Sequence, residues 1–169
     1  MSVENSTPKD IRSLEQIQGK YLTFKLADEE YGLEIIRVKE IIGIMSVTTL
    51  PKTPDFVKGV INLRGKVIPV IDLRLKFTMP EKDYDDKTCI IVVEVGFDSD
   101  NVQIGIIVDA VSEVINVTVD ELEPTPKFGV EVDTSFILGM AKSKGSVRTL
   151  LDVNSVLTSN EMLSLSGSF

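Results

Sequence analysis

The chain has 169 residues, of which 43% are hydrophobic and 26% charged, and its net charge is −8. This allows one domain with a real core, or two small intimate subdomains, and leaves no sign of wholesale disorder. An acidic surface repels nucleic acid and anionic lipid, the polar start Met1–Pro8 has no apolar signal segment, and no apolar run approaches the ~18 residues of a bilayer span; the expectation is a cytoplasmic protein with no nucleic-acid partner and no direct membrane insertion.

Residues 1–18 are polar and read as a mobile tail. From Lys20 the pattern alternates, with Leu22, Phe24 and Leu26 set against Tyr21, Thr23 and Lys25, which predicts a strand with one buried face. Asp28-Glu29-Glu30 reads as a turn and Tyr31–Ile35 as the return strand of a hairpin. Val67–Ile71 is another β-branched strand, in which Pro69 has no N–H to give a ladder and calls for an edge or a bulge. Thr88–Val95 and Val102–Val108 are two strands joined by the polar loop Gly96–Asn101. Val147–Leu151 is a further short strand, and Ser159-Asn160-Glu161 predicts the cap of a short helix through Met162, Leu163 and Leu165. Short strands dominate, so the expected class is all-β with minor helix. The single cysteine, Cys89, lies in an apolar run and reads as a buried thiol.

The two halves resemble each other. With Gly32 set on Gly105, Leu33 falls on Ile106, Ile35 on Val108, Val38 on Val111, Glu40 on Glu113, Ile41 on Val114 and Ile42 on Ile115. After seven further residues, near Lys127–Thr134, the match resumes: Phe56 on Phe136, Gly59 on Gly139, Gly65 on Gly145, Val67 on Val147 and Asp72 on Asp152. This predicts two β subdomains of similar design, residues 19–86 and 87–158, followed by a short helix and tail at 159–169. Each is small for an independent core, so a shared hydrophobic interface is expected. Residues that recur favour the common fold: Asp72 and Asp152 suit a turn or cap, and Glu40 with Glu113 a structural role. Asn62-Leu63-Arg64 does not recur, its counterpart being Lys142-Ser143-Lys144. Gly65 suits a turn with positive φ, and Arg64 just before it would project a guanidinium able to grip carboxylates or carbonyls.

The chain contains no histidine, one cysteine and no Gly-rich phosphate loop, which removes the Ser-His-Asp and Cys-His constellations and the Cys-rich metal sites. Asp83, Asp85 and Asp86 lack the glycine and distal glutamate of a calcium loop. No enzyme, cofactor or metal is expected. Charge is uneven: Lys52 to Lys76 holds six cations against Asp55 and Asp72, while Glu94 to Asp133 holds ten acids against Lys127. The two regions suit partners of opposite sign, or are plain solvated surface.

The stretch Phe56-Val57-Lys58-Gly59-Val60-Ile61-Asn62-Leu63-Arg64-Gly65-Lys66-Val67-Ile68-Pro69-Val70-Ile71-Asp72-Leu73 resembles the signature of the bacterial chemotaxis coupling proteins, the CheW family. Tyr21–Phe24 with Glu30–Leu33 is similar to that family's first hairpin, and Val38–Ile42 and Gly105–Asp109 match in order and spacing. The resemblance runs over residues 18–165. It implies two five-stranded SH3-like β-barrels packed on each other. It also implies a non-catalytic scaffold that binds the regulatory domain of the histidine kinase CheA and the helical cytoplasmic tip of chemoreceptors, and so joins membrane-bound receptor arrays. The contact region it implies here is Val38, Glu40, Gly59, Asn62, Arg64 and Gly65, with Val92 and Val111 as apolar neighbours. A CheW-like adaptor of another chemosensory or motility system is the alternative reading.

Overall fold

A computed structural model describes residues 13–97, 100–125, 135–143, 145–157 and 161. The β-branched and aromatic runs form eleven strands among them: β1 (Gly19–Leu26), β2 (Glu29–Glu34), β3 (Val38–Gly43), β4 (Val57–Leu63), β5 (Lys66–Asp72), β6 (Cys89–Phe97), β7 (Asp100–Val108), β8 (Ala110–Val117), β9 (Leu122–Glu123), β10 (Ile137–Ser143) and β11 (Ser146–Leu151). Three single-turn helices accompany them, α1 (Leu14–Ile17), α2 (Leu73–Lys76) and α3 (Val153–Val156).

The strands form two sheets, ordered β8-β1-β2-β11-β10-β9 and β3-β6-β7-β5-β4. In each, the segment that follows one edge strand bends round to meet the other edge. Thr48, beyond β3, exchanges backbone hydrogen bonds of 2.8 Å with Val60 of β4; β9, beyond β8, pairs with β10. The difference between a five- and a six-stranded sheet is therefore one of length in this closing segment.

The sheets do not coincide with the two halves of the chain. Hairpin β1–β2 joins the second-half strands β8 and β11, while β6–β7 joins the first-half strands β3 and β5. The repeats at 19–86 and 87–158 thus exchange their leading hairpins, and neither closes a sheet of its own. The internal symmetry is otherwise close. Gly32 sits beside Leu150 and Gly105 beside Val70 in matching parallel pairs, and Asp72 N–H and Asp152 N–H donate to Phe56 O and Phe136 O at 2.7 and 2.8 Å.

Three apolar clusters follow from this arrangement. One lies inside each sheet, around Ile61, Ile68, Val70, Ile90 and Val92 and around Ile17, Tyr21, Val117 and Leu150. The largest lies between the sheets and takes Leu22, Phe24 and Leu33 from one and Ile71, Ile91 and Ile106 from the other. The central strands are buried on both faces, so Tyr21 and Thr23, expected on the solvent side of β1, are buried as well.

Five strands, β3, β4, β8, β9 and β10, are not among the six read from the sequence; the other differences are local. The first hairpin turns at Ala27-Asp28, and Glu29 and Glu30 already belong to β2. Gly96 and Asn101, expected in a loop, pair with each other across β6 and β7. Pro69 lies in a strand flanked on both sides, and the β5–β7 ladder begins only at Val70, just past the residue with no N–H to give. The tail expected through residue 18 ends earlier: Ser13 and Gln16 form a reciprocal capping box on α1, which buries Ile17. Cys89 is half-buried at the start of β6. The rest of that tail, the extra residues near Lys127–Thr134 and the C-terminal helix apart from Glu161 lie outside the described residues.

Candidate functional site

The β4–β5 hairpin closes on the pair Leu63 and Lys66, leaving Arg64 and Gly65 as its two turn residues. Both have positive φ, +53° and +85°, the twist that matches a two-residue hairpin. Asn62 Oδ1 accepts the Gly65 N–H at 2.8 Å and locks the turn. Its guanidinium thrown outward, Arg64 meets Glu40 of β3 in a two-point contact, with Nη1 donating to Oε2 at 3.2 Å and Nη2 to Oε1. As β3 and β4 are the two edges of one sheet, this ion pair reinforces the closure made by Thr48 and Val60. The hydrogen bond from Arg64 holds the Glu40 carboxyl below its usual value, and Glu40 raises that of Arg64.

Gly59 lies beneath this surface. Its φ is +142°, and a Cβ there would stand 1.9 Å from Thr48 O, so only glycine lets the closing segment approach β4. Glu40, Asn62, Arg64 and Gly65 are thus brought together, with Gly59 shaping the backbone behind them. Val38 and Val111 lie on different sheets and both pack against the core between them. Val92 is directly opposite Glu40 in register but only 1% exposed, so it presents no surface to a partner and supports the strand from inside.

Exposed apolar residues add to this surface and escape a reading by motif. Ile41 and Val67 are exposed on the five-stranded sheet, and their repeat counterparts Val114 and Val147 are exposed on the six-stranded sheet. Strand alternation would have found them, since each points away from its own sheet's inner cluster. The six-stranded sheet also carries a cleft of about 350 Å³, lined in part by Glu113, Ile115, Ala141, Ser143 and Arg148. In the five-stranded sheet the positions matching Ala141, Ser143 and Arg148 are Ile61, Leu63 and Ile68, which pack into the inner core. Small and polar side chains leave the six-stranded barrel open where the five-stranded one is filled. Among the described residues no group of His, Cys, Asp and Glu gathers as a metal site. The arrangement offers a rigid turn with a poised guanidinium, which is the equipment of a binding surface.

Comparison with known proteins agrees with this picture. The family model for the CheW-like domain matches residues 20–161. The chain is 40% identical to the chemotaxis protein CheW of Klebsiella aerogenes, over 88% of this chain and 87% of that one. It is 35% identical to the chemotaxis protein CheW of Bacillus subtilis, over 82% of this chain and 86% of the relative. Among solved structures, the scaffolding protein TtCheW from Thermoanaerobacter tengcongensis superposes with a TM-score of 0.75 at 38% identity, over 87% of this chain and 99% of that one.

Proposed function

We propose that this chain, which belongs to the CheW-like domain family, is a chemotaxis adaptor: a scaffold that couples chemoreceptors to the histidine kinase CheA without chemistry of its own. The observation that carries the reading is the Arg64 turn, held in place by Asn62 and Glu40 on a barrel whose edges are closed. A guanidinium fixed before the partner arrives loses little conformational freedom on binding. The surface around Glu40, Asn62, Arg64 and Gly65 meets partner protein, Gly59 and Val92 act from within, and Val38 and Val111 pack against the core between the sheets. The partners are the CheA regulatory domain and the helical cytoplasmic tip of receptors, and the adaptor works in the cytoplasm, drawn to membrane-bound arrays through them. No helix among the described residues is long and apolar enough to cross a membrane. Signal passes by differential binding: a receptor state that favours one adaptor–kinase arrangement shifts the population toward it.

The test is binding of the purified protein to a CheA regulatory domain and to a receptor cytoplasmic fragment, with Arg64→Glu alongside. Wild type is expected to bind both. Arg64→Glu sets a second carboxylate against Glu40 and is expected to weaken receptor binding on the order of tenfold or more, the scale of an arginine anchor, with its urea midpoint little changed. A wild-type protein that binds neither partner overturns the proposal.

A further inference from the structure

Among the described strands, the chain passes from one sheet to the other at two places: from β2 to β3 through Ile35–Arg37, and from β7 to β8 through Asp109. These crossings are equivalent in the repeat, with Ile36 in the place of Asp109. They are built differently. Ile36 is 80% exposed and has no polar side-chain atom with which to tie anything. Asp109 is bonded to elements of both sheets. Its Oδ1 and Oδ2 accept from Arg74 Nε and Nη2, both at 2.8 Å, and α2, which carries Arg74, follows directly from β5 of one sheet. Its Oδ2 also accepts the Ala27 N–H at 2.8 Å, in the turn of the hairpin β1–β2 of the other sheet, and its own N–H donates to Lys25 O at 3.0 Å. Arg74 Nη1 in turn donates to Pro80 O at 2.8 Å. The Arg74 and Asp109 side chains are 13% and 15% exposed.

We infer that Asp109 and Arg74 form a clamp that sets the angle between the two barrels; on the other side Asn154, the repeat counterpart of Arg74, accepts a single N–H from Gly96 of β6 at 3.0 Å. The large apolar core holds the sheets together, but apolar attraction is non-directional and tolerates small rotations. A bidentate, shielded carboxylate–guanidinium pair does not, because its hydrogen bonds weaken steeply with misalignment. Asp109 and Arg74 are positioning residues: a partner that touches both barrels meets a geometry they define without being touched by them.

The experiment measures the distance between spin labels on the two barrels of the full chain, at Val67→Cys and Val147→Cys in a Cys89→Ser background. A label pair at Ile41→Cys and Val67→Cys, within one sheet, serves as control. Asp109→Asn and Arg74→Lys are each expected to shift and broaden the inter-barrel distance and leave the control pair unchanged, Arg74→Lys less because it keeps the charge. Should Asp109→Asn fail to fold, Arg74→Lys decides the matter. Inter-barrel distances that match wild type in every folded variant overturn the clamp. No partner is present in this measurement, so its outcome is separate from that of the adaptor assignment.

Discussion

At the scale of single residues, two positions carry constraints that their neighbours cannot relieve. Gly59 needs a backbone conformation that side chains rarely adopt, and the space for a Cβ is taken by a carbonyl of the closing segment. Gly59→Ala is expected to cost at least about 2 kcal/mol, from strain of about 1–3 kcal/mol and the displaced Thr48–Val60 pairing; urea denaturation reads this, and an unchanged midpoint would sink it. Asp109 is the second. Burial disfavours its charge, but the bonds from Arg74 and from the Ala27 N–H outweigh that and hold its carboxyl below the ordinary value. A carboxyl with a lowered folded value adds stability above its unfolded value of about 4. That contribution drains away as the pH falls from there through the folded value. The stability gap between wild type and Asp109→Asn is therefore expected to be full at neutral pH and to close in acid. A gap that stays constant down to the acid limit of folding contradicts this.

At the scale of elements, the repeat produces paired devices whose surroundings differ. Asp72 and Asp152 both cap the helical turn that follows their strands, as their recurrence predicts. Asp72 does more: it accepts from Arg74 N–H and Leu75 N–H and takes the Tyr84 hydroxyl at 2.7 Å, which ties the exposed segment before β6 to the barrel. Burial and this bond push the Tyr84 phenol above its usual range. Both Asp→Ala changes are expected to destabilise, Asp152→Ala by about 1 kcal/mol and Asp72→Ala by about 2 kcal/mol or more, since Asp72 is buried and holds the Tyr84 hydroxyl of another segment, whereas the hydroxyl that Asp152 holds, that of Ser155, lies in its own helical turn. Proteolysis should cut Asp72→Ala, and not Asp152→Ala, faster in the segment 78–87. Equal midpoints for the two variants would mean that the Tyr84 bond adds nothing.

At the scale of the whole molecule, the exchanged hairpins make the two barrels one folding unit. Fragments cut between the repeats at residues 86 and 87 each lack the hairpin that completes their sheet. Each is expected to be unfolded alone and to regain a native spectrum when mixed with the other, as followed by circular dichroism and amide dispersion. A second-half fragment that folds unaided would contradict the exchange.

What the sequence determined by itself was the local grammar. Alternation located β1 and apolar, β-branched runs located β2, β5, β6, β7 and β11, the recurrence of Asp72 with Asp152 identified the caps, and the long run from Phe56 to Leu73 pointed to the family and to the Arg64 turn. Such features depend on neighbours a few residues apart, which a sequence displays directly. Only the tertiary structure decided which hairpin completes which sheet. The two repeats have nearly interchangeable strands, so pattern alone cannot tell a hairpin's own sheet from its neighbour's. The same limit hid the burial of Val92 and Thr23, because alternation tells two faces apart but not that both are covered. It hid the meeting of Glu40 with Arg64 and of Asp109 with Arg74 as well. Those pairs are made by sheet closure and by the chain's crossing between sheets, where contact is set by long-range packing and not by spacing along the chain.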